Sequence, residues 1–332
     1  MKMTVMNIHR RPISAVSVAA AAVLGLLALS ACSGASENTS GDSKGGGKLK
    51  VTAAFYPLEY LAAQIGADHV AVTDLTKPGV EPHDLELTPK ETGRLGQSDV
   101  IVYLKGLQPA VDDAVKLSGV QHKVDAASLT TLESHGTEVD GTHHTTGDNG
   151  AGGDSEEGAG ADPHIWLDPV KYAEVAKGVG KALEQADPAN AAEYGKNTDA
   201  LVARLTALDT EFRDGLKNRA SDTFVTTHAA FGYLAERYGL VEEAVNGIDP
   251  ESEPSAARVK ALHDLVKSKH VSTVFFETLV SDATAKTLAG DLRLRTDVLD
   301  PIEGITGKSK GTDYFQVQRS NLTALRAALG AK

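Results

Sequence analysis

KVTAAFYPLEYLAAQIGADHVAVTDL, residues 50–75, sets the architecture of the chain. Lys50–Phe55 reads as a buried strand, Tyr56-Pro57-Leu58 turns into a helix from about Glu59 to Ile65, and His69–Leu75 is a second strand. Lys77 to Asp84 then carries two prolines and a glycine, which forbid regular structure and place His83 on a loop after a strand. Helical pattern resumes with Thr88 as N-cap, Pro89 at the first helical position and Glu91 in the first turn. Ser98–Leu104 is a continuous apolar third strand, and a shorter one follows near His122–Asp125. Strand and helix alternating in this order imply a parallel sheet covered on both faces, an α/β fold.

The pattern repeats downstream after a helical interval. Pro169–Ala186 is helical, Asp187-Pro188 restarts the chain, and Ala189–Asn218 places Leu201, Leu205, Leu208, Phe212 and Leu216 at three- to four-residue spacing. About 30 residues of helix span on the order of 45 Å, enough to run along two lobes and hold them in a fixed relation. Strands are expected at Asp222–Thr227, Leu240–Val245, Val271–Glu277 and Thr296–Asp300. Helices are expected between them at Phe231–Tyr238, Ser255–Lys267 and Ala283–Asp291, and a last amphipathic one at Tyr314–Leu329. The expected domains are therefore a first α/β lobe over 49–168, linking helices over 169–218 and a second α/β lobe over 219–332.

Inside the first lobe, residues 135–162 hold three histidines, seven acids, eight glycines and no Lys or Arg. With Val139 as its only apolar residue larger than alanine, this stretch buries too little surface to offset its ordering entropy and is expected to be a loop. Its His135, His143 and His144 are candidates for transient metal capture beside the denser PHIWLDP segment, Pro163–Pro169. The chain is acidic, with a formal charge of −12, which argues against nucleic acid as a partner and suits a cationic ligand.

At the N-terminus Lys2, Arg10 and Arg11 precede an apolar stretch, Ile13–Leu29, that ends Leu29-Ser30-Ala31-Cys32. This is the layout of a secretory signal, and Cys32 is the only cysteine of the chain. Having no internal disulfide partner and sitting where a lipoprotein signal peptidase would cut, Cys32 is expected to carry lipid. Residues 1–31 are then the signal and 32–48, rich in Gly and Ser, a flexible tether to the membrane.

Open α/β sheets bind ligands at the carboxyl ends of their strands, and three histidines fall there: His83, His164 at the end of the His-rich loop, and His228 closing DTFVTTH. A fourth, carboxylate, ligand is expected from the second lobe. Asp300 and Glu303 in VLDPIEG are both within reach, and Glu277 at the end of TVFFE is a further candidate. Imidazole with carboxylate suits a borderline cation such as Zn2+.

GVEPHDLELTP (79–89), PHIWLDP (163–169), TTHAAFGYLAERYGL (226–240) and LDPIEG (299–304), behind a lipobox, resemble the metal-binding subunits of ABC importers for zinc and manganese. The resemblance covers nearly all of the chain after residue 48. It implies two α/β lobes joined by a long rigid helix, one metal ion in the cleft between them, His83, His164 and His228 as ligands, and a carboxylate at or near the last motif, Asp300 or Glu303. It further implies an extracytoplasmic, lipid-anchored protein that delivers its ion to an ABC permease. His228, where manganese importers tend to have an acid, and the His-rich loop place the chain nearer the zinc branch. Manganese binding, a surface adhesin of the same fold, and a zinc hydrolase are the competing readings. A hydrolase needs an open metal position and a general base, and the chain has neither an HExxH helix nor a nucleophile elbow, so an enzyme is not expected.

Overall fold

The computed structural model describes residues 47–136, 138–139 and 161–332. The first lobe is built in chain order from β1 (Leu49–Ala53), α1 (Tyr56–Gly66), β2 (Val70–Asp74), α2 (Pro89–Leu95), β3 (Val100–Tyr103), α3 (Pro109–Leu117) and β4 (His122–Asp125). Its four strands form a parallel sheet of order β2-β1-β3-β4. Val51, Ala53, Val100, Ile101 and Val102 are buried on both faces of it, as parallel strands covered by helices require. The start of α2 is fixed by a capping box: the Thr88 hydroxyl accepts from Glu91 N, and the Glu91 carboxylate accepts from Thr88 N at 2.9 Å.

Next come β5 (Glu138–Val139), α4 (Pro169–Ala186) and α5 (Ala191–Leu216). Asp168 caps α4 by accepting Val170 N at 2.7 Å, ahead of Pro169. The 26 residues of α5 extend about 39 Å at 1.5 Å per residue. From its start to its middle it is tied to the first lobe, where Asn197 Nδ2 donates to Ile65 O at 3.0 Å and Arg204 to Gln64 at 3.1 Å. Its second half is tied to the other lobe through Arg237 to Asp209 at 3.0 Å and Arg319 to Glu211 at 2.7 Å. Leu201, Leu205, Leu208, Phe212 and Leu216 form its buried face, in a core that continues through both lobes. The helix is thus a strut held at both ends.

The second lobe comprises β6 (Thr223–Thr226), α6 (Gly232–Tyr238), β7 (Val241–Ala244), α7 (Ala256–Lys269), β8 (Thr273–Phe276), α8 (Ala283–Leu292), β9 (Arg295–Val298) and α9 (Tyr314–Leu329). Its sheet has the order β5-β7-β6-β8-β9 and is parallel except for β5 against β7. A smaller apolar cluster, including Val225, Leu262, Val274 and Leu288, packs in this lobe. One expectation is corrected here. The stretch 135–162 does not belong wholly to the first lobe, because Glu138–Val139 pairs antiparallel with Glu242–Glu243. The outer strand β7 otherwise presents a row of unpaired N–H and C=O groups, and two residues of extended chain suffice to meet part of it whatever their side chains.

The seam between the lobes is hydrogen-bonded at buried positions. Trp166 Nε1 donates to Pro301 O at 2.6 Å, the Tyr314 hydroxyl to Trp166 O at 2.6 Å, and the Tyr233 hydroxyl to Asp162 O at 2.8 Å. Buried hydrogen bonds of this kind are costly to leave unmade, so the loops they join are held in register.

Candidate metal centre

His83 lies in the loop between β2 and α2, His164 just before the single 3-10 turn Ile165–Leu167 that leads into α4, His228 two residues past β6, and Glu303 in the loop after β9. Three of these loops follow the carboxyl ends of parallel strands. One ligand atom from each of the four residues lies within 4.8 Å of the others. Glu303 Oε1 is 3.2 Å from His164 Nε2 and 3.4 Å from His83 Nε2. The three imidazole centroids are 5.0, 5.4 and 5.6 Å apart. His164, His228 and Glu303 are buried and His83 is half-buried.

Neighbouring groups set which ring nitrogen faces inward. The Asp162 carboxylate accepts both His164 N at 2.9 Å and His164 Nδ1 at 2.7 Å, so Nδ1 carries the proton and Nε2 is turned to the cluster. In His228 it is Nε2 that donates, to Ile248 O at 2.7 Å, because a carbonyl only accepts. In the neutral ring that zinc takes, the lone pair therefore sits on Nδ1, which lies 3.3 Å from Glu277 Oε1 in the metal-free protein. Fixing ring and tautomer through the second nitrogen is how proteins orient metal-ligating histidines.

Asp300 is corrected as a site residue. Its Oδ1 accepts Ile302 N at 2.8 Å and its Oδ2 accepts the Thr278 hydroxyl at 3.1 Å, while Asn321 of α9 brackets its backbone at 2.9 and 2.7 Å. With both oxygens engaged, Asp300 shapes the turn and Glu303 reaches the histidines. Between them the buried Ile302 is held at φ 61°, a strained conformation for a β-branched residue. That strain is spent at the residue next to Glu303.

Two further carboxylates border the cluster. Glu81, two residues before His83, and Glu277, at the end of β8, come within 4.8 Å of Glu303 by one oxygen each. Glu81 Oε2, His83 Nε2, His228 Nδ1, both Glu277 oxygens and Glu303 Oε2 are buried without hydrogen-bond partners. Native interiors seldom leave so many polar atoms unpaired in one place, and a divalent cation is the group that would satisfy donors of this chemistry. Burial, then the Glu303 and Glu277 charges, push the Glu81 carboxyl up to about 10, so it is protonated at neutral pH. Burial opposes charge on His164, but Asp162 and then Glu303 outweigh it and lift this imidazole up to about 10. Burial would raise Glu303, yet His164 and His83 hold it well below the usual carboxylate range.

The expected place of His135 on an open loop is corrected: it is buried, with Nδ1 2.6 Å from Asp162 Oδ2 and Nε2 3.2 Å from Glu236 Oε2, and one of its ring nitrogens lies within 4.8 Å of oxygens of Glu133 and Glu236, a second cluster of potential ligands. The ring meets Tyr233 edge-on at 4.7 Å. Its neighbours in sequence suggest a loop because composition does not reveal that Asp162 and α6 close over its first residue. His143, His144 and Cys32 lie outside the described residues. Sequence reasoning gave no role to Asp162 or Glu81. The Asp-x-His spacing of Asp162 and His164, which lets a carboxylate cap its own downstream backbone, was the available signal for the first.

Residues 51–328 match the family described as zinc-uptake complex component A, periplasmic, ZnuA. The chain belongs to that family. It is a family of zinc-uptake components, not of enzymes. The high-affinity zinc uptake system protein ZnuA of Bacillus subtilis is 34% identical over 310 residues, covering 92% of this chain and 95% of the relative. The zinc-binding lipoprotein AdcA of Streptococcus pneumoniae is 34% identical over 84% of this chain, which spans only 56% of AdcA. The Zn(II)-bound ZnuA-like domain of that AdcA superposes with a TM-score of 0.69 at 30% identity, covering 85% of this chain and 99% of the domain. A laminin-binding protein of Streptococcus agalactiae, described as bifunctional with adhesin and metal-transporting activity, gives a TM-score of 0.72 at 28% identity over 85% and 99% of the two chains. Two parallel-sheet lobes joined by a helical linker are therefore the family fold as well as the fold of this chain. Among the described residues no helix is long and apolar enough to cross a membrane.

Proposed function

We propose that this protein is the extracytoplasmic subunit of a zinc ABC importer, which takes one Zn2+ between its lobes through His83, His164, His228 and Glu303 and presents it to the permease. The observation that carries the reading is the meeting of these four side chains, from four separate loops and both lobes, with ligand atoms within 4.8 Å of one another. Three imidazoles and one carboxylate match zinc in number and in donor type, while an oxygen-rich set would favour manganese. A carboxylate as fourth ligand closes the tetrahedron and leaves no position for a reacting water, which fits a carrier. Metal-stripped protein offered equimolar Zn2+ and Mn2+ should retain zinc at one ion per chain; bound manganese, or neither ion, would overturn the reading.

The protein is further proposed to be held at the membrane by lipid on Cys32, stable attachment coming from more than one acyl chain. Cys32→Ser should move it from the membrane fraction to the soluble fraction of cells. If the variant, with its signal removed, still sediments with membranes, the lipid anchor is wrong. A second reading, adhesion at the cell surface, is favoured by the likeness to the laminin-binding protein. It is compatible with zinc capture, and saturable binding of the zinc-loaded protein to immobilised laminin would be its signature.

A further inference from the structure

The two ends of the His-rich stretch meet on one carboxylate. Asp162 Oδ1 accepts His164 Nδ1 at 2.7 Å and Asp162 Oδ2 accepts His135 Nδ1 at 2.6 Å, so two imidazoles grip the two oxygens of one buried group. Each bond has only one sense, since a carboxylate that accepts leaves the ring nitrogen as donor. Asp162 cannot turn without breaking one of them.

The far side of His135 is equally determined. Its Nε2 faces Glu236 at 3.2 Å, its ring meets Tyr233 at an interplanar angle of 90°, and the Tyr233 hydroxyl donates back to Asp162 O at 2.8 Å. Glu133 O accepts Asp162 N at 2.8 Å, which ties the chain just before His135 to the chain just before His164. The floor beneath the ring is Gly232, where a Cβ would come within 2.5 Å of His135 Cγ and 2.6 Å of Nδ1. Real Cβ atoms do not approach so closely. Gly232 opens α6, a position where glycine has no helical advantage over alanine, so its lack of a side chain is explained by the ring above it.

We propose that His135 is a positioning residue for zinc capture: acting through Asp162, it fixes the ring of His164, and Gly232 is bare so that His135 can seat. This rests on the reading of His164 as a zinc ligand. Partners once removed from a metal commonly change affinity 10- to 100-fold when lost. His135 stands one step further out, so about tenfold is expected.

The test compares His135→Ala, His135→Asn, Gly232→Ala and His164→Ala in the full-length metal-stripped protein. Zn2+ affinity is read by chelator competition, and ligand geometry by the visible absorption of the Co2+ complex. His135→Ala should weaken Zn2+ binding about tenfold and alter the Co2+ band. His135→Asn places an amide N–H where Nδ1 was and should restore affinity to within about threefold, on the scale of a single retained hydrogen bond. Gly232→Ala, whose nearest neighbours would be atoms of the His135 side chain, should follow His135→Ala, and it serves as the independent probe if the alanine at 135 does not fold. Parent-like behaviour of His135→Ala or Gly232→Ala, or equal losses in His135→Ala and His135→Asn, would overturn the proposal and leave His135 a packing residue. Parent-like zinc binding by His164→Ala would instead overturn the ligand reading, and the inference with it.

Discussion

His83→Ala, His164→Ala and His228→Ala should each weaken Zn2+ binding about a hundredfold or more, but of His83 and His164 only the second should also destabilise the metal-free protein, by about 3 kcal/mol. The first part follows from dividing the binding free energy of a four-ligand zinc site, about 10–16 kcal/mol, among its ligands, which gives about 3 kcal/mol apiece. The second part follows from what each ring does without metal. His83 is half-buried and its Nε2 makes only the longer, 3.4 Å contact with Glu303, which His164 also faces at 3.2 Å, so truncation removes less that the fold uses. His164 is fully buried and gives Asp162 one of its two imidazole partners; breaking one member of a buried charged pair costs about 3–5 kcal/mol. Calorimetric zinc titration, with urea unfolding of the stripped variants, separates the two effects. Near-parent affinity in any variant would remove that residue from the site. Equal stability loss in the His83 and His164 variants would mean that Asp162 is not held as described.

The histidines were legible because each sits at a backbone landmark that sequence can find. A proline-rich loop after a strand marks His83, and the last residues of an apolar run mark His228. The carboxylate was harder, since Asp300 and Glu303 are three residues apart in one turn and either was within reach. What separates them is mainly tertiary: Asn321 of α9 and Thr278, 21 and 22 residues away, join the local backbone of Ile302 in consuming Asp300. His135 was misread for a related reason. Local composition argued for unanchored chain, whereas its burial comes from Asp162 and Glu236, 27 and 101 residues away. The pairing of β5 on the second sheet has no side-chain signature, because it depends on a backbone edge that exists only once β7 is placed. The strut α5, in contrast, was readable from its apolar spacing, and it is tied to both of the lobes whose loops carry the site.

Zn2+ affinity is expected to fall about tenfold for each pH unit between pH 8 and pH 6, and Glu303→Gln is expected to lower it about a thousandfold across that range without flattening the slope. In the metal-free protein His164 holds a proton, because Asp162 and Glu303 outweigh the burial that opposes its charge and lift it up to about 10. Zinc takes a neutral imidazole, so loading expels that proton. The proton is bound before loading and absent after it, so lowering the pH favours the unloaded state. One expelled proton gives a unit slope of log affinity against pH. His228, also raised against its burial by Glu277, adds to the slope wherever it is protonated before loading. Glu303→Gln keeps the shape of the side chain but removes the anionic donor and leaves charged imidazoles facing an amide. Each of four ligands carries about 2.5–4 kcal/mol of the roughly 10–16 kcal/mol that hold zinc, and the upper end of that share, taken for the one anionic donor, is about a thousandfold. The slope survives the substitution because Asp162, the foremost support of the His164 charge, is untouched. Chelator competition at pH 6, 7 and 8, with proton release followed in weak buffer, measures both quantities. A flat profile in the parent would mean that His164 is neutral before zinc arrives. A Glu303→Gln variant within about tenfold of the parent, less than the loss of one ligand, would put water rather than this carboxylate at the fourth position.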